Sequence, residues 1–251
     1  MGLNEGLLNE DRIVLSINDK MYSQLNGNMQ TFIRQLLPNM DRNLPVRCCK
    51  TENYIKPDVC IYQGNERKFV SIKHGTSETL HDEKINSFIN FLKEQGISDD
   101  IIRCYLLFHY GDGTTDGTGT KRLANFDARI KYDEEVRKVN AEFNKSKEFI
   151  KNFANRVMFQ GVDVDAPPAD VIYHGDEDFG NFASKNQFMT HLGYRNYDFM
   201  TQSVHIGPFI IRPKARYPDK EIKNDEFRHK VVVSFPRLLN EVMYVSRRYK
   251  F

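Results

Sequence analysis

Within KPDVCIYQGNERKFVSIKHG, residues 56–75, two residues have the types and spacing to do chemistry together. Asp58 stands directly after a proline, and Lys73 closes an alternating run. A carboxylate is a hard oxygen ligand suited to Mg²⁺. An ammonium held beside it can orient or deprotonate an attacking water and neutralise charge developing on a phosphate. One aspartate holds such a cation weakly, so the chemistry asks for a second acid. Without one, the pair is an exposed salt bridge at a strand end, worth about 0–1 kcal/mol.

The two residues meet only if the chain between them folds back. Gly64-Asn65 is a two-residue hairpin signal. A turn centred there pairs Val59 with Val70 and Asp58 with Ser71. Alternation then gives Val59, Ile61, Val70 and Ile72 one apolar face that needs a core. Asp58, Cys60, Ser71 and Lys73 take the other face, with Asp58 and Lys73 as diagonal neighbours. Before the hairpin, Met21, Leu25, Met29, Phe32, Ile33, Leu36 and Leu37 have helical spacing that Pro38 ends. After it, Leu80, Ile85, Phe88, Ile89 and Leu92 predict an amphipathic helix stopped at Gly96. Ser98-Asp99-Asp100 caps another, through about Phe108.

Pro57-Asp58, a turn, and x-x-Lys at the end of the next strand resemble the PD-(D/E)XK nuclease superfamily, which includes many restriction endonucleases. The resemblance covers roughly residues 20–95. It implies a restriction-endonuclease-like α/β fold, a mixed β-sheet flanked by helices, and Mg²⁺ as cofactor. It implies Asp58 as a metal ligand, Ile72 as the donor of a backbone carbonyl, and Lys73 as the catalytic lysine. Ser71 stands where the superfamily has its second-strand acid, and a serine cannot replace a carboxylate ligand. Some restriction enzymes of the superfamily also show Ser-x-Lys and recruit a glutamate from the following helix. SETLHDEKINSFINFL, residues 77–92, offers Glu83, in the first turn of the expected helix and off its apolar face. Glu78, Asp82 and Glu52 are rivals for that role, and His81 could assist.

The rest of the chain is less pointed. YGDGTTDGTGTKR, residues 110–122, reads as a mobile, exposed loop without the Gly-Lys-Ser/Thr core of a phosphate loop, although Lys121 and Arg122 could grip a DNA backbone. A charged helix is expected over 131–153, strands at 169–175, 203–213 and 229–236, and a short helix around 184–192. This is a mixed α/β pattern without strict strand–helix alternation. From Arg212 onward eleven Lys or Arg face five acids, against a whole-chain charge of +2, so the C-terminal part is locally basic. Arg212, Lys214, Arg216, Arg228 and Lys230 are its candidates for contacting DNA; arginine can read guanine edges, whereas lysine mostly finds phosphates. A charged, protected sheet edge is the alternative.

Composition sets the frame: 251 residues, 40% apolar and 28% charged, fit an ordered globular chain. No apolar run reaches the length of a membrane helix, and no secretory signal opens the chain. Cys48, Cys49, Cys60 and Cys104 lack zinc-site spacing and read as reduced thiols of a cytoplasmic protein. Together these features predict a single nuclease domain over 1–251, with a catalytic core at about 20–110 and a DNA-contacting part at about 200–251. The expected activity is Mg²⁺-dependent cleavage of double-stranded DNA by a type II restriction endonuclease. A homodimer would cut both strands, and a methyltransferase acting on the same site is a possible partner. The alternatives are a nucleic-acid-binding module that lost catalysis with the acid at position 71, and an interaction protein with no nucleic-acid role.

Overall fold

A computed structural model describes residues 5–52, 55–75, 79–119, 121–194, 203–214 and 225–248. The fold is mixed α/β. Its chain divides into two compact units. The first comprises Met1–Ser77, Ala154–Tyr194 and Arg237–Phe251, and the second Glu78–Phe153 and Arg195–Pro236.

The first unit is organised by the hairpin. Strands β2 (Val59–Gln63) and β3 (Glu66–Lys73) are antiparallel, with Val59 opposite Val70 and Cys60 opposite Phe69, the register the turn predicts. Gly64 turns the chain with φ of 56°, a left-handed conformation that costs glycine little. On the outer side of β2 lies β1 (Arg47–Lys50), antiparallel. Beyond β3 come β5 (Val171–Gly175), parallel to it, and β6 (Gly180–Ser184), antiparallel to β5. The sheet order is β1-β2-β3-β5-β6.

Helices α1 (Glu5–Ile17) and α2 (Gly27–Leu36) supply the core for the apolar face. Ile13 and Ile17 of α1 and Met29, Phe32 and Ile33 of α2 form one buried cluster with Val59, Ile61, Val70, Ile72 and Tyr173. The Asn26 side chain caps α2 by accepting the Met29 N–H at 2.8 Å. Full burial of each large aliphatic or aromatic side chain contributes about 1.5–3 kcal/mol. The opposite face is covered as well: Cys60, Ser71, Ile172 and Ala183 are buried, and helix α9 (Leu238–Arg248) packs on β5 and β6. Burial on both faces explains three consecutive buried positions at the start of β2.

The second unit holds an antiparallel sheet of order β4-β9-β8-β7: β4 (Thr79–Lys84), β7 (His205–Ile206), β8 (Phe209–Pro213) and β9 (Lys230–Ser234). Its helices are α3 (Ile85–Glu94), α4 (Asp99–Tyr110), α5 (Asn125–Lys131), α6 (Asp133–Phe143) and α7 (Lys147–Asn155). Phe88, Tyr105, Phe143, Phe153 and Phe209 are buried and build much of its core. In the first unit, α8 (Lys185–Tyr194) follows β6.

Three sequence expectations are corrected here. Glu83 is not in the first turn of a helix: it lies on β4, and α3 begins at Ile85 with Lys84 as its N-cap. The Val231–Val233 run of β9 offers β4 a ladder partner, and that tertiary pairing outweighs a weak local preference. The helix expected over 131–153 is broken into pieces. Asn144, after α6, uses its amide to bond the carbonyls of Asn140 and His205 and to accept the Gly207 N–H, so it clamps the β7–β8 turn. Finally, the loop after α4 is pinned rather than mobile. Arg228 donates to the Asp112 carboxylate and the Gly119 carbonyl, and the Asp112 side chain is fully buried. A Cβ on Gly117 would stand 2.6 Å from the Tyr110 ring, so only glycine fits there.

Among the described residues, no helix is long and apolar enough to cross a membrane.

Candidate active site

Asp58 enters β2 from Pro57 and is held by its backbone first, its N–H reaching the Val70 carbonyl at 2.9 Å. Its carboxylate folds onto the end of β3. Oδ2 accepts the Ile72 N–H at 2.5 Å and the Ser71 hydroxyl at 3.2 Å, and Lys73 Nζ stands 3.6 Å from the same oxygen. Asp58 and Lys73 are therefore diagonal neighbours, each about one-fifth exposed. The hairpin register alone produces this meeting.

The geometry also gives Ser71 a role. Its side chain is fully buried, and its hydroxyl orients Asp58. An acid at position 71 would press a second buried negative charge against Asp58. Ile72 contributes its N–H to Asp58 and its side chain to the core, and it is the register partner of Tyr173 on β5.

A second carboxylate comes from α1, which sequence reasoning passed over. Asn9 is fully buried and donates to the Gly175 carbonyl at 2.9 Å, and Ile13 and Ile17 continue that buried stripe. Glu10, the neighbour of Asn9, is carried towards the end of the hairpin. Burial raises its pKa above the ordinary glutamate value, the Asp58 charge raises it further, and Lys50 and Lys73 partly offset both. Lys50, on β1, fixes the helix there: its ammonium lies 3.4 Å from Glu10 and 2.8 Å from Asp11, and it donates to the Leu7 carbonyl. The Ile13–Ile17 spacing was the available signal for this helix. No sequence feature says which of its acids turns inward.

Two further bases complete the corner. Burial pushes the Lys56 ammonium down to about 7, with the Lys73 charge adding to the effect and Asp58 opposing it. His174 is the register partner of Lys73 on the parallel strand β5, and burial lowers its pKa, helped by His74 and Lys73.

The carboxylates of Asp58 and Glu10, electrostatically coupled to each other, are hard donors of the kind Mg²⁺ prefers. Among the described residues no group of three or more His, Cys, Asp or Glu side chains forms a metal cage. Mg²⁺ is commonly held by only one or two carboxylates and keeps several waters.

The remaining candidates fall elsewhere. Glu83 belongs to the second unit, where its side chain is buried on the inner face of β4, opposite Val231, and lies 3.5 Å from His81. Asp82 points to the outer face and pairs with Lys214. Glu52 is exposed in the first unit. Glu78 and Arg216 lie outside the described residues.

Of the cations proposed for DNA, the structure brings three together. Arg212, Lys214 and Lys230 share the outer face of β8 and β9, where Lys214 and Lys230 flank the Phe227 ring at 5.2 and 5.8 Å. Lys230 also pairs with Glu226 at 2.9 Å. Arg122 and Arg228 have internal duties instead. Arg122 donates to the Tyr110 and His109 carbonyls at the end of α4, and Arg228 holds the pinned loop. Lys121 is exposed.

No known family's sequence model matches this chain, and no curated protein matches it either.

Proposed function

We propose that the protein is a Mg²⁺-dependent endonuclease acting on double-stranded DNA, of the type II restriction class. The observation that carries this reading is the Asp58–Lys73 corner: a carboxylate oriented by a buried hydroxyl and a backbone N–H, with an ammonium 3.6 Å away. Glu10, electrostatically coupled to both, supports it with the second acid that Ser71 denies to β3. Mg²⁺, when bound, polarises the phosphate and acidifies water. Asp58 and Glu10 contribute the anionic oxygens that hold the cation. Lys73 orients the attacking water and balances charge building on the phosphate. Ser71 keeps the Asp58 carboxylate turned to its task.

The outer face of β8 and β9, with Arg212, Lys214 and Lys230, supports phosphate contact, with Lys121 as a further exposed cation. Cutting both strands calls for two such sites, so the reading includes a homodimer. A methyltransferase specific for the same sequence, in the same cytoplasm, belongs to this reading as the protector of host DNA.

Digestion of plasmid and phage DNA, with Mg²⁺ and with EDTA, tests it. Wild type is expected to give discrete fragments only with Mg²⁺. Lys73→Ala and Glu10→Gln each lose about 100-fold or more in rate. Glu83→Gln, the acid the sequence alone favours, is run beside them; its loss with Glu10→Gln intact would transfer the second ligand to Glu83. Absence of cleavage from wild type across many DNAs, with salt-dependent DNA binding retained, would replace the enzyme with a binding module.

A further inference from the structure

Cys49 and Cys60 stand directly opposite each other on the antiparallel strands β1 and β2. Residues placed in this way lie about 4.5–5.5 Å apart at Cα, within the span of about 4.4–6.8 Å that a disulfide bridges. Alternation makes the pairing selective. Cys48 pairs with Ile61 and buries its thiol in the apolar cluster on the other face, so of the two adjacent cysteines only Cys49 faces Cys60. Exposure is divided as well: Cys49 is exposed and Cys60 buried, so an oxidant reaches the first while the second waits behind it.

We propose that Cys49 and Cys60 form a two-thiol modification site that closes to a disulfide when hydrogen peroxide oxidises Cys49. The Cys49 sulfur attacks one peroxide oxygen and breaks the O–O bond, giving a sulfenic acid and one water. The Cys60 sulfur then displaces the sulfenic hydroxyl, forming the S–S bond as its own proton leaves with that hydroxyl as a second water. Two thiols lose two hydrogens and two electrons, and the peroxide is reduced to two waters. The bond would staple β1 to β2 next to Asp58, which shares the Cys60 face of the sheet. Reversible disulfides of this kind suit a reducing compartment, where persistent ones are rare.

The test uses the full-length protein with hydrogen peroxide and does not depend on any nuclease activity. After quenching, blocking with N-ethylmaleimide and denaturation, peptide mapping without reduction should find the tryptic peptide CCK (residues 48–50) joined to TENYIKPDVCIYQGNER (residues 51–67). Thiol titration of unblocked samples should fall from four per chain to about two, in line with one disulfide. The link should vanish in Cys49→Ser and in Cys60→Ser, and persist in Cys48→Ala. Cys49 is exposed, so its variant carries the test even if Cys60→Ser folds poorly. A link through Cys48, oxidation of Cys49 alone, or Cys49 joined to a second chain would each overturn the assignment.

Discussion

Each unit of the molecule sets a carboxylate beside a basic side chain on a β-strand, and the two settings have opposite consequences. In the first unit, Asp58 and Lys73 stand at the end of the central strands, partly exposed, with one carboxylate oxygen oriented by Ser71 and Ile72. In the second, Glu83 faces inward from the next-to-last position of a paired strand, almost wholly buried beside His81. A carboxylate at a strand end keeps access to solvent, cation and substrate. One sealed into a sheet's inner face must satisfy its charge locally, and removing one partner leaves the other stranded. The face a side chain takes and how deeply that face is covered, more than residue type, separate a group poised for chemistry from one committed to the fold.

The largest effect that tests this contrast is on stability. Glu83→Gln should cost on the order of 2–3 kcal/mol in urea unfolding, because it breaks a buried polar pair. Lys73→Ala, at the half-open corner, should cost no more than about 1 kcal/mol. Equal losses would erase the distinction between the two sites.

Lys56 sharpens the comparison through pH. Its folded pKa is depressed from the ordinary 10.5 to about 7, so between those values the unfolded chain holds a proton that the folded protein has released. Stability therefore rises with pH across that window, and the cost of the buried charge is fully present below it. Unfolding in EDTA at pH 6 and pH 9.5 should show wild type gaining on the order of 2 kcal/mol more than Lys56→Met over that range. Parallel slopes for the two proteins would mean that the corner does not desolvate this lysine.

The smallest effect belongs to the outer face of the second sheet. Lys214→Ala removes a surface pair with Asp82 and should change stability by less than about 1 kcal/mol. Its DNA affinity should nevertheless become less steep with salt, by about one counterion, if that face meets phosphate. An unchanged salt slope would remove the β8–β9 face from the interface.

Much of the corner was legible in the residues themselves. Gly64-Asn65 and the alternation around it fix the Val59–Val70 register, and that register brings Asp58 to Lys73, because strand periodicity is local and has a period of two. The end of the helix before Pro38 and the start of the helix at Asp99 were readable too, since breakers act on their own neighbourhood; but the first helix begins only at Gly27, leaving Met21 and Leu25 outside it, and the Ser98 side chain makes no capping hydrogen bond. Glu83 was misplaced because β4 exists only through its partner β9, distant in sequence, and its own residues give no strong strand signal. Arg122 and Arg228 looked like free cations for the same reason: the carbonyls and carboxylate they hold are named only by the folded chain.

By itself, then, the sequence determined the hairpin, its two faces and the meeting of Asp58 with Lys73, all consequences of local turn chemistry and side-chain alternation. The tertiary structure alone decided that Glu10 approaches that corner, that Glu83 is buried on a strand, and that Cys49 rather than Cys48 faces Cys60. Those outcomes depend on which distant segments pack and pair, and the free energy of such contacts is shared between residues that the linear chain keeps apart.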